Sequence, residues 1–453
     1  MTFPSHVFRE YDVRGVADRD LGDDLAERLG FAYATMIGTA PSIALARDCR
    51  LSSPRLHAAA TRGLVAAGAR VIDVGVGPTP LLYFAANHLA TDGAMMITGS
   101  HNPGDENGFK MMRGLAPFYG DDIRTLRDRV EAGGTGPGGG SVTMQSVEDA
   151  YIAALVERSG PHRPLKVVLD AGNGSGGPLA VRALRAAGLE VETLYCDMDG
   201  TFPNHHPDPT QPENLATLIA RVKASGAALG LALDGDADRL GAVDENGEII
   251  WGDKLLVIFA RAILKTHPGA AIVGEVKCSQ TTYDDIAKHG GRPILWKTGH
   301  SLIKTKMKQE HALLAGEMSG HLFFADRWFG FDDAIYAALR LTAIVSEAGA
   351  KLSPLLADLP RTSITPELRE PCPDAVKFDV VAAILAKYRG THEVVDVDGA
   401  RILFGDGAWG LVRASNTQPV LVLRFEAKTD ARRDEIRAEV ETAVREERAR
   451  HGA

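Results

Sequence analysis

With 453 residues the chain exceeds one ordinary core and calls for about two to four domains. Hydrophobic content of 45% and charged content of 24% belong to a globular protein in water, and a net charge of −9 excludes the broad basic face of a nucleic-acid binder. No run approaches the ~18 apolar residues of a membrane span, so the expected partners are small molecules, including anions held in local basic pockets.

The first 11 residues lack the apolar stretch of a secretory signal. Cys49, Cys196, Cys278 and Cys372 are scattered, with no CxxC pair, which reads as reduced thiols in a cytoplasmic protein.

The first expected strand is 43–46, followed by a polar loop at 47–53 and a helix. Residues 64–73 (LVAAGARVID) read as a helix end, a glycine cap and a second strand. A third apolar run at 94–97 leads into Thr98-Gly99-Ser100-His101-Asn102-Pro103. Ser100 is expected as an exposed hydroxyl in a tight turn, with His101 beside it as proton acceptor and Lys110 shortly after. Serines in glycine-containing turns are usually structural, His101 could simply bond the loop, and Lys110 could be a surface lysine. Residues 133–141 (GGTGPGGGS) are expected as a flexible connection that closes a first unit near residue 145.

The pattern then repeats. A strand at 167–169 precedes a small-residue loop at 170–176, and 184–193 (LRAAGLEVET) resembles 64–73. The apolar run 229–233 ends in Asp234-Gly235-Asp236-Ala237-Asp238-Arg239. Carboxylates at alternate positions converge on a hard cation, magnesium or calcium rather than zinc. A calcium EF-hand is a rival, because Glu245 falls at its twelfth position. Against it, Arg239 stands where that loop needs glycine, and 229–233 and 240–243 read as strands. A solvated acidic turn is the plainer alternative.

A third, weaker copy comprises a strand at 271–273, a loop at 275–280 and the segment 286–295. Its second run, 313–315, ends in Gly316-Glu317-Met318-Ser319-Gly320-His321. Glu317 and Ser319 suit sugar hydroxyls and His321 a hydroxyl or phosphate, unless the segment is only a polar turn. Open α/β sheets bind ligands beyond the carboxyl ends of their strands, so three such ends could face one cleft.

Beyond Pro354 the texture changes, with Pro360, Pro366, Pro371 and Pro373 marking a connector. A helix over 374–389, short strands, a loop at 413–419 and a charged helix from Asp430 predict a smaller α+β domain. Arg413, Ser415, Asn416 and Thr417 make a plausible anion cradle, or else a hairpin loop. A cradle so remote from the acidic loop suggests a substrate with a phosphate distant from the reacting one. The expected fold is α/β: three similar α/β domains (1–145, 146–249, 250–360) with mixed sheets, plus an α+β domain (361–453).

In this order TGSHNP, DGDADR, GEMSGH and RASNTQP resemble the α-D-phosphohexomutases over essentially the whole chain. Further matching segments are YDVRG at 11–15, RDCR at 47–50 and KTGHS at 297–301. The set is most similar to the bifunctional phosphomannomutase/phosphoglucomutase branch. Phosphoglucosamine mutases more typically have Gln at Met318 and Gly-Thr-Glu at Asn416, Thr417 and Gln418. Asp105-Glu106 before Asn107 departs from the commoner pair.

The resemblance implies a four-domain, heart-shaped enzyme with a central cleft. Ser100 would be a phosphoserine, and its phosphate with Asp234, Asp236 and Asp238 would hold Mg²⁺. Arg239, Lys110 and His101 would surround the transferring group, with Lys110 as preferred general base or acid. Glu317, Ser319 and His321 would read sugar hydroxyls, and Arg413, Ser415, Asn416 and Thr417 would grip the non-reacting phosphate. Tyr11, Arg14, Lys277 and His300 would line the cleft. Implied partners are hexose phosphates, with hexose 1,6-bisphosphate as intermediate and activator and the chain a monomer or weak homodimer. The alternatives are a phosphoglucosamine mutase and a non-catalytic sugar-phosphate sensor.

Overall fold

The computed structural model describes residues 3–452. Its first sheet contains β1 (Val13–Val16), β2 (Ser42–Arg47), β3 (Arg70–Val76), β4 (Gly93–Ile97), β5 (Glu106–Arg113), β6 (Ala116–Pro117) and β7 (Ser141–Met144). The second contains β8 (Lys166–Asp170), β9 (Glu190–Leu194), β10 (Leu229–Leu233), β11 (Leu240–Asp244) and β12 (Ile249–Ile250). The third contains β13 (Ala271–Glu275), β14 (Arg292–Trp296), β15 (Leu314–Gly316) and β16 (Leu322–Phe324).

These three sheets share one four-strand pattern. A central strand (β2, β8, β13) pairs in parallel with a neighbour on each side, and the second neighbour (β4, β10, β15) pairs antiparallel with the next strand. The sequence repeat is thus a topological repeat, including its weakest copy. In each unit a helix ends at a left-handed glycine, Gly68, Gly188 or Gly290 (φ 88°, 86° and 79°), and the outer parallel strand follows. Every residue of β10 and β13 is buried, because helices cover both faces of these sheets; they therefore read as continuous apolar runs.

One core runs through all three units, from Leu81 and Phe84 of helix Thr79–His88 to Leu155, Leu179, Leu231, Leu256 and Leu339. The other face of the first sheet packs a second core against helices Asp23–Ile37, Ser53–Ala66 and Asp121–Ala132. Residues 133–141 are not a free tether. Gly138 and Gly140 donate to the carbonyls of Ala66 and Val65, and the chain then pairs as β7 beside β3.

The fourth unit is an antiparallel sheet of β17 (Ser363–Ile364), β18 (Leu368–Pro371), β19 (Glu393–Val395), β20 (Ala400–Gly405), β21 (Ala408–Ala414) and β22 (Val420–Ala427). Two helices, Lys377–Arg389 and Asp430–Arg450, pack on it around a separate core that includes Val380, Ile402, Leu423 and Ile436. The first of these helices starts three residues later than expected, because Asp374 accepts from the Lys377 ammonium in the turn before it. The contact with the third unit joins an apolar cluster of Val276, Leu295, Trp409 and Leu411 to a set of polar bonds. Arg401 donates to the carbonyls of Val276 and Cys278, and Glu426 accepts from Ser279 Oγ and Gln280 N at 2.6 and 2.9 Å.

Candidate active site

The loop after β4 meets the loop after β10. Ser100 has a left-handed backbone (φ 50°), and its Oγ donates to Asp234 Oδ2 at 3.0 Å. The expected exposed hydroxyl is instead 1% exposed. The acidic loop covers it so closely that a Cβ at Gly235 would come within 2.3 Å of the Ser100 carbonyl oxygen.

Arg50 holds this turn from below. Its guanidinium donates to the carbonyls of Ser100 (2.6 Å), Asn102 (2.7 Å) and Glu106 (3.0 Å), and also to that of Pro103. Asp48 pairs with Arg50 at 3.2 Å and Phe202 stacks on it at 5.1 Å. Gly99 is required there, since a Cβ would meet the guanidinium at 2.5 Å. Sequence reasoning matched Arg50 within RDCR without giving it a role. Arg50→Met is expected to leave buried carbonyls unpaired and to cost about 3 kcal/mol or more. Thermal unfolding beside initial rates checks this, with both melting temperature and turnover falling; an unchanged melting temperature would refute it.

Asp234, Asp236 and Asp238 are fully or almost fully buried, with one ligand oxygen from each lying within 4.8 Å of the others. Asp234 Oδ1 accepts from the backbone amides of Asp238 and Arg239 at 3.0 and 3.1 Å, which folds the loop around it. Asp236 Oδ2 accepts from Lys110 Nζ (2.7 Å) and Thr79 Oγ1 (2.5 Å), and Asp238 Oδ2 accepts from Lys110 Nζ (2.5 Å). Burial first, then repulsion from Asp238 and Asp236, raises Asp234 well above the usual carboxylate range. Asp236 Oδ1 and Asp238 Oδ1 are buried with no hydrogen-bond partner among the described residues. Crowded carboxylates with unpaired oxygens fit a hard divalent cation. The EF-hand alternative fails: Glu245 accepts from Leu352 N and Ser353 N and Oγ, and β10 and β11 are adjacent antiparallel strands.

Burial lowers the Lys110 pKa, but Asp236 and Asp238 outweigh it and hold the group well above its ordinary value. Lys110 is therefore an ammonium here, suited to neutralising charge or giving a proton rather than taking one. His101 Nδ1 lies 3.1 Å from Asp208 Oδ2, and Thr210 N and Oγ1 fix that carboxylate at 3.0 and 2.6 Å. Burial, then the Arg239 charge, lowers His101 to about 4, so its ring is neutral at pH 7. Arg239 Nε donates to His321 Nε2 at 2.9 Å, and His321 Nδ1 lies 3.0 Å from Asp332 Oδ2, which also accepts from Lys304 through Oδ1 at 3.1 Å. His321, expected as a sugar reader, lines the cavity; its Nε2 accepts from Arg239, while its Nδ1, though close to Asp332, is buried without a hydrogen-bond partner among the described residues. Asp208 and Asp332 lie outside the sequence motifs and escaped notice.

Beside these loops lies a cavity of about 740 Å³. Tyr11, Arg14 and His101 line it from the first unit, Arg239 from the second, Lys277, His300, Glu317, Ser319 and His321 from the third, and Arg413, Ser415 and Thr417 from the fourth. Tyr11 OH donates to Thr298 O (3.0 Å) and accepts from Asn416 Nδ2 (2.6 Å), which joins three units at one atom. Arg14 Nη1 donates to Asn102 Oδ1 at 3.3 Å, and Glu106 steadies that asparagine at 2.7 Å, giving the unusual Asp105-Glu106 pair a local use. Glu317 Oε1 accepts from Gly299 N (2.8 Å) and Glu317 Oε2 from Ser319 Oγ (3.0 Å), so both oxygens of this carboxylate are held by the protein. Lys277 pairs with Glu367 at 2.9 Å and Arg413 with Asp398 at 2.9 Å. Burial, then Lys304, lowers His300 well below its usual range, and its Nε2 is buried without a partner among the described residues.

Among the described residues no helix is long and apolar enough to cross a membrane. Family models for phosphoglucomutase/phosphomannomutase match the chain in order: alpha/beta/alpha domain I at residues 5–134, domain II at 149–247, domain III at 251–363 and the C-terminal domain at 367–443. A phosphomannomutase/phosphoglucomutase of Pseudomonas syringae pv. tomato is 45% identical over 96% of this chain and 94% of its own. A phosphoglucomutase of Neisseria meningitidis serogroup A is 45% identical over 97% and 96%. The solved structure of a phosphoglucomutase/phosphomannomutase family protein from Burkholderia thailandensis is 43% identical, covers 98% of both chains and superposes with a TM-score of 0.91. The chain belongs to the phosphoglucomutase/phosphomannomutase family.

Proposed function

We propose that the protein is a phosphohexomutase that interconverts the 1- and 6-phosphates of mannose and glucose. The observation that carries this is Ser100 Oγ, 3.0 Å from the first of three buried carboxylates, next to His101 and Arg239 in the wall of a cleft that Arg413, Ser415 and Thr417 also line. Phosphorylated Ser100 donates its phosphoryl group to the free hydroxyl of a bound hexose phosphate. The P–Oγ bond breaks, a P–O bond to the sugar forms and the proton of the sugar hydroxyl is passed on to Ser100 Oγ, giving a hexose 1,6-bisphosphate. After the bisphosphate turns end for end, Ser100 takes back the other phosphoryl group. A small amount of hexose 1,6-bisphosphate primes Ser100 and so acts as activator.

Mg²⁺, held by Asp234, Asp236, Asp238 and the Ser100 phosphate, would neutralise charge on the transferring group. Lys110 and Arg239 supply positive charge from the protein in a water-poor site. A loose phosphoryl transfer asks for alignment more than for strong base catalysis. His101, with Nδ1 turned to Asp208, keeps its Nε2 lone pair for a sugar hydroxyl. Arg413, Ser415 and Thr417 hold the phosphate that is not reacting, while Glu317 and Ser319 take the hydroxyls in either sugar orientation. Every group in this scheme comes from one chain, which suits a monomer or a weak homodimer.

The name of the Pseudomonas relative pairs mannose with glucose, while that of the Neisseria relative gives glucose alone, and Glu317 with Ser319 can bond the hydroxyls of either sugar. Initial rates on glucose, mannose and glucosamine 1-phosphates test this. The first two are expected within roughly tenfold of each other, in line with weak discrimination of a single hydroxyl's geometry. Dominant turnover of the amino sugar would make the protein a phosphoglucosamine mutase instead.

A further inference from the structure

Lys377 stands where a lysine is electrostatically unwelcome. It is the first residue of helix Lys377–Arg389, where the helix dipole disfavours a cation, and it is 3% exposed. An ammonium has three donors and needs an acceptor for each when buried. Here all three are used: Nζ donates to Asp374 Oδ1 (2.6 Å), Ser415 O (2.5 Å) and Gln418 O (3.1 Å). Ser415 and Gln418 bracket the turn that carries Asn416 and Thr417. The two carbonyls are drawn back onto one ammonium, while Ser415, Thr417 and Gln418 face the cavity.

We infer that Lys377 is a positioning residue for phosphate binding: it clamps the carbonyls of the 415–418 turn so that the side chains of Ser415, Thr417 and Gln418 face the anion, and it places a positive charge beneath them. The mechanism above does not use this residue, and it touches no substrate. A link runs onward to the first unit. Asp374, the third acceptor, also lies 3.7 Å from Arg9 Nη1, and Arg9 lines the same cavity. The contact between first and fourth units therefore shares a carboxylate with the clamp. A purely structural lysine would not need to gather carbonyls from both ends of a ligand-facing turn, nor sit against a helix dipole.

The inference rests on the reading of the Arg413–Thr417 loop as the grip for the distal phosphate, so the experiment separates the two. Steady-state kinetics on glucose 1-phosphate are measured for Lys377→Met and Arg413→Ala beside the wild type, with melting temperatures. Lys377→Met is expected to raise KM roughly tenfold, the scale of lost hydrogen bonds to a charged group, while kcat per folded enzyme stays within about threefold. A lower melting temperature or folded fraction with unchanged KM, while Arg413→Ala raises KM, would overturn the positioning role alone. Unchanged KM in Arg413→Ala would overturn the loop reading and this inference with it. Should the methionine variant not fold, Lys377→Gln, which keeps two donor protons for the carbonyls but loses the charge, is expected to raise KM in the same direction, and unchanged KM there counts against the inference equally.

Discussion

Ser100→Ala is expected to lower mutase turnover by about a thousandfold or more while leaving hexose phosphate binding nearly intact. The turn does not depend on the hydroxyl that is lost. Arg50 holds it through the Ser100, Asn102 and Glu106 carbonyls, and Thr98 Oγ1 accepts the Ser100 amide at 2.9 Å. Glu317, Ser319, Arg413 and Ser415, which line the cavity, belong to other units and keep their own partners. What disappears is the atom that would carry the phosphoryl group in the proposed mechanism. Intact mass gives a second readout: after incubation with hexose 1,6-bisphosphate, wild-type protein gains one phosphoryl group that maps to Ser100, and the variant gains none. Unaltered turnover in Ser100→Ala, or a phosphoryl group mapped elsewhere, would remove the serine from the reaction.

The burial of Ser100 shows where sequence reading stops. A glycine-flanked serine after an apolar run correctly locates the turn, because strand ends and glycines are local features. Whether its hydroxyl is exposed depends on the Gly235 loop, more than a hundred residues away, and no local pattern encodes that contact. The threefold repeat was legible because each unit must build the same helix, glycine and strand from nearby residues. The same repeat brings the Ser100, Asp234 and Glu317 loops to equivalent strand ends, so their meeting could be anticipated. Arg50, Asp208, Asp332 and Lys377 could not be assigned roles in this way. Each is an ordinary charged residue until tertiary contacts place it under a loop or behind a histidine. His321 shows the converse: its motif singles it out as a candidate, but only the structure shows its ring in the cavity wall, bonded to Arg239 and close to Asp332. The glycines at 133–141 suggested freedom, yet without side chains they pack closely; a Cβ at Gly136 would lie 2.3 Å from the Ala66 carbonyl oxygen.

Chelation of divalent cations is expected to reduce turnover to about 1% or less, with Mg²⁺ restoring it and Ca²⁺ restoring far less. The acidic loop offers one oxygen from each of three carboxylates in a compact, buried cluster. With a serine phosphate oxygen added, water can complete the small octahedral shell of Mg²⁺, whereas Ca²⁺ favours more ligands and longer bonds. Stability is expected to respond as well. Burial and mutual repulsion push Asp234 up, and the Asp236 and Asp238 Oδ1 atoms have no hydrogen-bond partner among the described residues, so a divalent cation is expected to bind the folded state in preference to the unfolded chain. Adding Mg²⁺ to chelated protein should therefore raise the melting temperature in a concentration-dependent way, and Asp236→Asn should flatten that response. The two readouts separate catalysis from folding. A cation that raised the melting temperature without restoring turnover would be structural, while turnover retained after chelation would leave Lys110 and Arg239 to neutralise the phosphoryl group unaided.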